Sequence, residues 1–187
     1  MNAVKTDSAE FLKLNLCAGN SRMDGYLSVD QFAFDGLDVV SDLREPWPWN
    51  SDSVSDIHLS HALEHFTAVE RVHVFNEMYR VLIPGGKATI ITPHWNSNRA
   101  YGDFTHQWPP VSEMLYYYLS REWRKTNAPH TDAEWNAVGY KCDFEATWGY
   151  SMHPEIAKRN TEYQQYAMSW YKEACQDMHA TLVAKKG

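Results

Sequence analysis

The sequence predicts an α/β fold, an open, twisted, mostly parallel sheet of about seven strands with helices on both faces. Three observations predict it. Residues 11–93 alternate short β-branched or Leu-rich runs with polar turns, an amphipathic stretch separates two of those runs, and residues 178–185 alternate with period two.

The first strands fall at Phe11–Cys17, Tyr26–Asp30, Asp38–Asp42, Val54–Ser60 and Lys87–Thr92, each bounded by Gly, Asn, Asp or Pro. Between the last two, Ala68, Val72, Phe75, Tyr79 and Leu82 recur at helical spacing, with Glu70, His73, Glu77 and Arg80 opposite. Thr67 and Glu70 form a capping box at its start, and Pro84-Gly85-Gly86 turns the chain into the next strand. Strand, helix and strand then make a right-handed crossover, which sets the two strands parallel. Only eight residues separate Cys17 from Tyr26, so the first crossover helix is short or missing.

Residues 94–137 differ in texture, with Trp95, Tyr101, Phe104, Trp108, Tyr116 and Trp123 among histidines. They read as an inserted aromatic lid with one helix near Val111–Trp123, started by Ser112. A strand near Cys142–Met152 follows, then a helix from Pro154 with Ile156, Tyr163, Ala167, Trp170 and Ala174 on one face, then the last strand. The expected organisation is a single domain over 1–187, with core 11–93 and 138–187 and lid insertion 94–137.

At 187 residues, 44% apolar and 22% charged, the chain has the composition of one globular domain rather than of a disordered one. Its net charge of −7 offers no long-range attraction to phosphate backbones or anionic lipid, which argues against nucleic acid as partner. No apolar run approaches the roughly 20 residues of a membrane span, so no membrane is expected, and the chain reads as soluble and unprocessed. Cys17, Cys142 and Cys175 are odd in number and lack CxxC spacing, which excludes a disulfide framework and points to a reducing, cytoplasmic setting. Aromatic residues reach 14%, more than a small core needs, which points to rings lining a ligand cleft.

An open parallel sheet binds ligands at the carboxyl ends of its strands. The first strand ends in Cys17-Ala18-Gly19-Asn20, a small turn that lets backbone N–H groups approach a ligand closely. The second ends in Asp30, placed to accept from a ribose diol, and the third in Asp42-Leu43, placed to accept from an adenine amino group and pack on its ring. Each Asp taken alone is more often a cap or turn residue. The fourth ends in Ser60-His61.

The run LNLCAGN…GYLSVD…DVVSDLREPWPW…SVSDIHLSHALEHF…EMYRVLIPGGKATIITPH resembles the class I S-adenosylmethionine-dependent methyltransferases, particularly their type-11-like subset. The resemblance covers residues 11–94. It implies a Rossmann-like sheet whose last strand is antiparallel, and S-adenosyl-L-methionine as cofactor. By position, Cys17, Ala18, Gly19 and Asn20 would cradle the methionine end and Asp30 the ribose. Asp42 and Leu43 would face adenine, and Ser60 with His61 would lie under the sulfonium. Glycine is commoner in that family's first turn than here, which narrows the room for the ligand's carboxylate.

Methyl transfer from a sulfonium mainly requires positioning, with a general base only where the acceptor must lose a proton. The implied function is methyl transfer to a small-molecule acceptor at an O, N or C nucleophile. The base expected is His106 or His94, with Asp103 orienting an imidazole; the alternative is that both histidines serve local bonding. His94, Asp103 and His106 offer metal-ligand chemistry, but their spacing matches no ligand pattern and no metal is expected. Two other functions fit the same residues. They are a cofactor-binding module without transfer, and lyase or cyclase chemistry on the sulfonium.

Overall fold

The computed structural model describes residues 11–187; residues 1–10 of the expected domain lie outside the described residues. The strands are β1 (Leu12–Leu16), β2 (Leu27–Asp30), β3 (Val39–Val40), β4 (Val54–Ser60), β5 (Leu82–Pro93), β6 (Phe144–Met152) and β7 (Cys175–Ala184). They form one sheet in the order β3-β2-β1-β4-β5-β7-β6. β1 to β5 pair in parallel, and β7 runs antiparallel between β5 and β6. The mostly parallel sheet with an antiparallel last strand is therefore present.

Coverage of both sheet faces explains why the middle strands read as near-continuous apolar runs. In β4, Val54, Ile57 and Leu59 are fully buried, and in β7 the alternation is kept by Met178, Ala180 and Leu182. Nothing helical joins β1 to β2, the second of the two outcomes, short or missing, that the spacing left open. β5 starts five residues earlier than expected, because pairing jumps from Val54–Leu82 to Asp56–Lys87 and Pro84-Gly85-Gly86 is accommodated as an irregularity inside the strand.

Helix α1 (Ala68–Val81) carries the expected capping box. Thr67 Oγ1 accepts from the Glu70 N–H, and a Glu70 carboxylate oxygen accepts from the Thr67 N–H at 2.7 Å. Its buried face is Arg71, Val74, Phe75, Met78 and Val81. That corrects the expected stripe: Ala68 is exposed and Val72 and Tyr79 are half-buried. Two polar groups set the rotation. Tyr79 donates its hydroxyl to the Lys185 carbonyl at 2.6 Å, while Arg71 is drawn inward to donate to the carbonyls of Leu63, Gln107 and Pro109.

Residues 94–143 hold α2 (Arg99–Gly102), α3 (Glu113–Tyr117) and α4 (Arg121–Asn127). The single helix expected over Val111–Trp123 is broken because Ser120 caps α4, accepting from the Trp123 N–H, and the Leu119 carbonyl leaves the helix to accept from Phe144 N–H. Ser112 occupies the N-cap of α3, but its side chain makes no cap bond. The helix expected from Pro154 is likewise two, α5 (Pro154–Ala157) and α6 (Thr161–Trp170), the second capped by Asn160. No helix among the described residues is long and apolar enough to cross a membrane.

Candidate active site

Five of the residues expected at the strand ends line one cleft of about 370 Å³: Cys17, Asp30, Asp42, Leu43 and His61. His65, Phe66 and Thr105 close it. Three backbones at this rim adopt left-handed φ, Cys17 at 51°, Gly19 at 48° and His61 at 50°. Such a conformation costs a non-glycine residue on the order of 1–3 kcal/mol and gathers at ligand sites, where the chain must turn sharply off a strand end.

Asp30 organises the turn. Its Oδ2 accepts from the Gly19 N–H and its Oδ1 from the Phe32 N–H, both at 3.1 Å, leaving a lone pair on each oxygen. Asp42 is held by Arg44, whose Nε and Nη2 donate to both carboxylate oxygens at 2.7–3.1 Å. Those bonds hold its carboxyl below the usual range against a smaller effect of burial. Burial, and then the charges of Asp30, Asp42 and Glu64, push the Cys17 thiol up to about 12, so it stays neutral and is a poor nucleophile. Four expected contacts lie outside the cleft wall. Ala18 is buried with its N–H on the Val29 carbonyl, Gly19 and Asn20 are exposed, and Ser60 is half-buried beneath the rim.

A second, open groove of about 710 Å³ adjoins the first and shares His61 and His65 with it; Glu64, Asp103, Phe104 and His106 also line it. Here a hydrogen-bond chain fixes one tautomer. Thr105 donates its only hydroxyl proton to Asp103 Oδ1 at 2.6 Å, so the His65 Nδ1, 2.9 Å from Thr105 Oγ1, must donate to that hydroxyl oxygen. The lone pair of His65 is then on Nε2. Burial, and next the charge of His106, hold the His65 imidazole below its usual range, which favours the neutral ring. His106 points its Nδ1 at the Ala100 carbonyl at 3.4 Å, and its Nε2 lies 3.9 Å from Asp103 Oδ2. The rings of His65 and His106 meet edge to face at 4.7 Å.

Glu64 was not expected here. It follows β4 in a 3-10 turn, Leu63–His65, that folds the side chain inward until it is 5% exposed. Its Oε2 has no hydrogen-bond partner in the structure. Burial pushes its carboxyl up to about 7, opposed by a backbone N–H and by Arg71. The signal in the sequence was a carboxylate between His61 and His65. Its burial depends on the turn and is not visible in that pattern.

His94 is a correction. It is fully buried and lines neither hollow; its Nε2 meets Glu113 Oε1 at 3.0 Å, and Tyr150 donates to the same oxygen. The chain leaves β5 through Pro93, which lines the groove, while the His94 N–H pairs with the Gln176 carbonyl and the imidazole is committed to Glu113. Burial alone would raise the Glu113 carboxyl, but the bond and charge of His94, a backbone N–H and Tyr150 outweigh it and bring it to about 2. A carboxyl depressed when folded stabilises above its ordinary value near 4.5 and loses that contribution as pH falls toward 2. Glu113→Gln is therefore expected to lower the melting temperature at pH 7, with the gap to wild type shrinking between pH 5 and pH 3 in thermal scans. An unchanged gap would contradict the assigned role of this pair.

A third hollow of about 420 Å³, walled by Val69, Val72, Pro110, Met114 and Leu115, contains none of the strand-end residues and no such cluster. The first two hollows lie at the carboxyl rim of the sheet, where the strand order switches between β1 and β4. Fold and rim together define an α/β protein with one cleft at its strand ends and a groove adjoining it.

Residues 14–90 match the family described as Methyltransferase domain. A SAM dependent methyltransferase from Archaeoglobus fulgidus has the same fold, with a TM-score of 0.55 at 16% identity, over 83% of this chain and 74% of that one. The 1,6-didemethyltoxoflavin-N1-methyltransferase of Burkholderia thailandensis, solved with 1,6-didemethyltoxoflavin and S-adenosylhomocysteine bound, gives 0.55 at 12% identity, over 94% and 71%. No curated protein matches the sequence. The family match spans less than half of the chain, and the two solved structures share its fold.

Proposed function

We propose that the chain is an S-adenosylmethionine-dependent methyltransferase acting on a small-molecule nucleophile held in the groove of Asp103, Phe104 and His106. The observation that carries the reading is the shared wall: His61 and His65 stand in both hollows, so a sulfonium at the inner end of the first would face the second. Asp30 accepts from the ribose hydroxyls, the Cys17–Asn20 turn holds the methionine end, and Leu43 packs on adenine beside Asp42 and Arg44. Ser60 underlies His61. In the transfer, a lone pair of the acceptor forms a bond to the methyl carbon while the carbon–sulfur bond breaks and its electrons return to sulfur. A proton lost by the acceptor goes to His106 Nε2, and the segment 94–137 shields the reaction from water.

The net charge of −7 and the size of the groove favour a small acceptor over a nucleic acid. The name of the Burkholderia thailandensis relative records N-methylation of a small ring compound, an acceptor of the size this groove admits. Three free cysteines fit a reducing, cytoplasmic setting.

Two measurements test the reading. Offered the cofactor and a panel of small hydroxyl, amine and acidic-carbon acceptors, the protein is expected to release S-adenosylhomocysteine only when an acceptor is present. Release without any acceptor would favour lyase or cyclase chemistry; binding without release would leave a binding module. Asp30→Ala is expected to weaken S-adenosylhomocysteine by about 10- to 150-fold, the range for one lost hydrogen bond to a charged group. Calorimetry that finds equal affinity in both proteins would remove Asp30 from the cofactor site.

A further inference from the structure

We propose that Glu64, His65 and His106 form a binding site for a divalent first-row transition ion, with its open coordination position facing the acceptor groove. One donor atom from each residue lies within 4.8 Å of the other two. Ligands at about 2.0–2.2 Å from a tetrahedral zinc stand about 3.4 Å apart, so loading draws the three inward by no more than about 1.4 Å.

The surroundings of each residue suit that role. Metal-binding imidazoles donate their second ring N–H to a carbonyl, carboxylate or similar acceptor, which orients the ring and leaves one lone pair free. His65 does this through Thr105, itself anchored on Asp103, and His106 points its Nδ1 at the Ala100 carbonyl. Both rings thus hold Nε2 for a ligand. The third residue, Glu64, stands in the groove wall, 5% exposed, and its Oε2 is orphaned.

A buried carboxylate without a counter-ion is costly. Oε1 of Glu64 lies 3.6 Å from His61 Nδ1, which carries charge only when protonated, and the Arg71 guanidinium donates to the backbone carbonyls of Leu63, Glu64, Gln107 and Pro109, so Oε2 is left without a partner. A bound cation would supply the missing partner. Two imidazoles and one carboxylate suit zinc or iron rather than magnesium or calcium, which favour all-oxygen sets, and three protein ligands leave a position for water or an acceptor oxygen. The ion's part in transfer rests on the methyltransferase reading above; with the ion bound, His106 acts as a ligand and no longer takes the proton.

The test uses the full chain after dialysis against a chelator, titrated with zinc chloride by calorimetry and with cobalt(II) by visible absorption. One ion per chain with a dissociation constant of about 1 μM or tighter is expected, with cobalt d–d bands of a site of low coordination number. Glu64→Gln and His106→Ala should each weaken zinc at least tenfold. Thr105→Val, an exposed position that touches no ion, should weaken it by about 10- to 100-fold through His65. His130→Ala, an exposed histidine outside both hollows, should bind as wild type. Absence of stoichiometric zinc, or equal affinity in the Glu64, His106 and Thr105 variants, overturns the site. S-adenosylhomocysteine is titrated in parallel. Its binding without zinc binding rejects the ion site alone, and the reverse result rejects the cofactor reading alone.

Discussion

His106→Ala is expected to slow methyl transfer by about 10²- to 10⁴-fold while leaving the affinity for S-adenosylhomocysteine at the wild-type level. His106 lines the acceptor groove but not the first cleft, so its loss should register in turnover and not in cofactor binding. Its ring is 11% exposed, enough for one nitrogen to reach a bound acceptor while the ring stays fixed by Ala100 and packed on His65. Single-turnover rates at saturating cofactor measure the effect. An unchanged rate would mean that the acceptor carries no proton to lose and that His106 holds no ion needed for transfer. Whether the imidazole works free or through an ion is separated by a chelator, which reproduces the loss only in the second case.

Arg124→Ala is expected to cost about 3–5 kcal/mol of stability, the range for removing one partner of a buried ion pair. Arg124 is fully buried in α4 and binds four groups at once. Its Nε meets Asp132 Oδ2 at 3.2 Å, Nη1 donates to the Tyr118 carbonyl at 2.8 Å, and Nη2 donates to those of Cys142 at 2.8 Å and Tyr140 at 3.4 Å. One side chain therefore ties the end of α3, the loop after α4 and the lead into β6. Truncation leaves a buried carboxylate and three carbonyls without it. Against a typical total of roughly 5–15 kcal/mol, the loss is a large share. Urea unfolding should show a lower midpoint at unchanged slope, and a change below about 1 kcal/mol would contradict the assigned role.

The sheet was legible in the sequence because its signals are local. β4 has the bounds that its apolar run predicts, the Thr67–Glu70 capping box forms, and the short Cys17–Tyr26 spacing leaves room for at most a short helix, which is absent. The convergence of strand ends was legible through Cys17, Asp30, Asp42, Leu43 and His61, which line one cleft. What escaped depends on distant partners. The lid helix breaks at Leu119-Ser120 because Phe144, far along the chain, takes the Leu119 carbonyl. His94 is taken out of the groove because Glu113, itself held by Tyr150, binds its imidazole. Glu64 looks like a surface acid in sequence and becomes a buried one only because a 3-10 turn folds it under His61.

The most direct measurement is a crystal structure of the protein with S-adenosylhomocysteine. Adenosine should occupy the hollow beside Asp30 and Leu43, with sulfur at the wall of His61 and His65 and directed toward Asp103 and His106. Ligand seated in the apolar hollow beside α1, or sulfur directed away from His65, would contradict that arrangement.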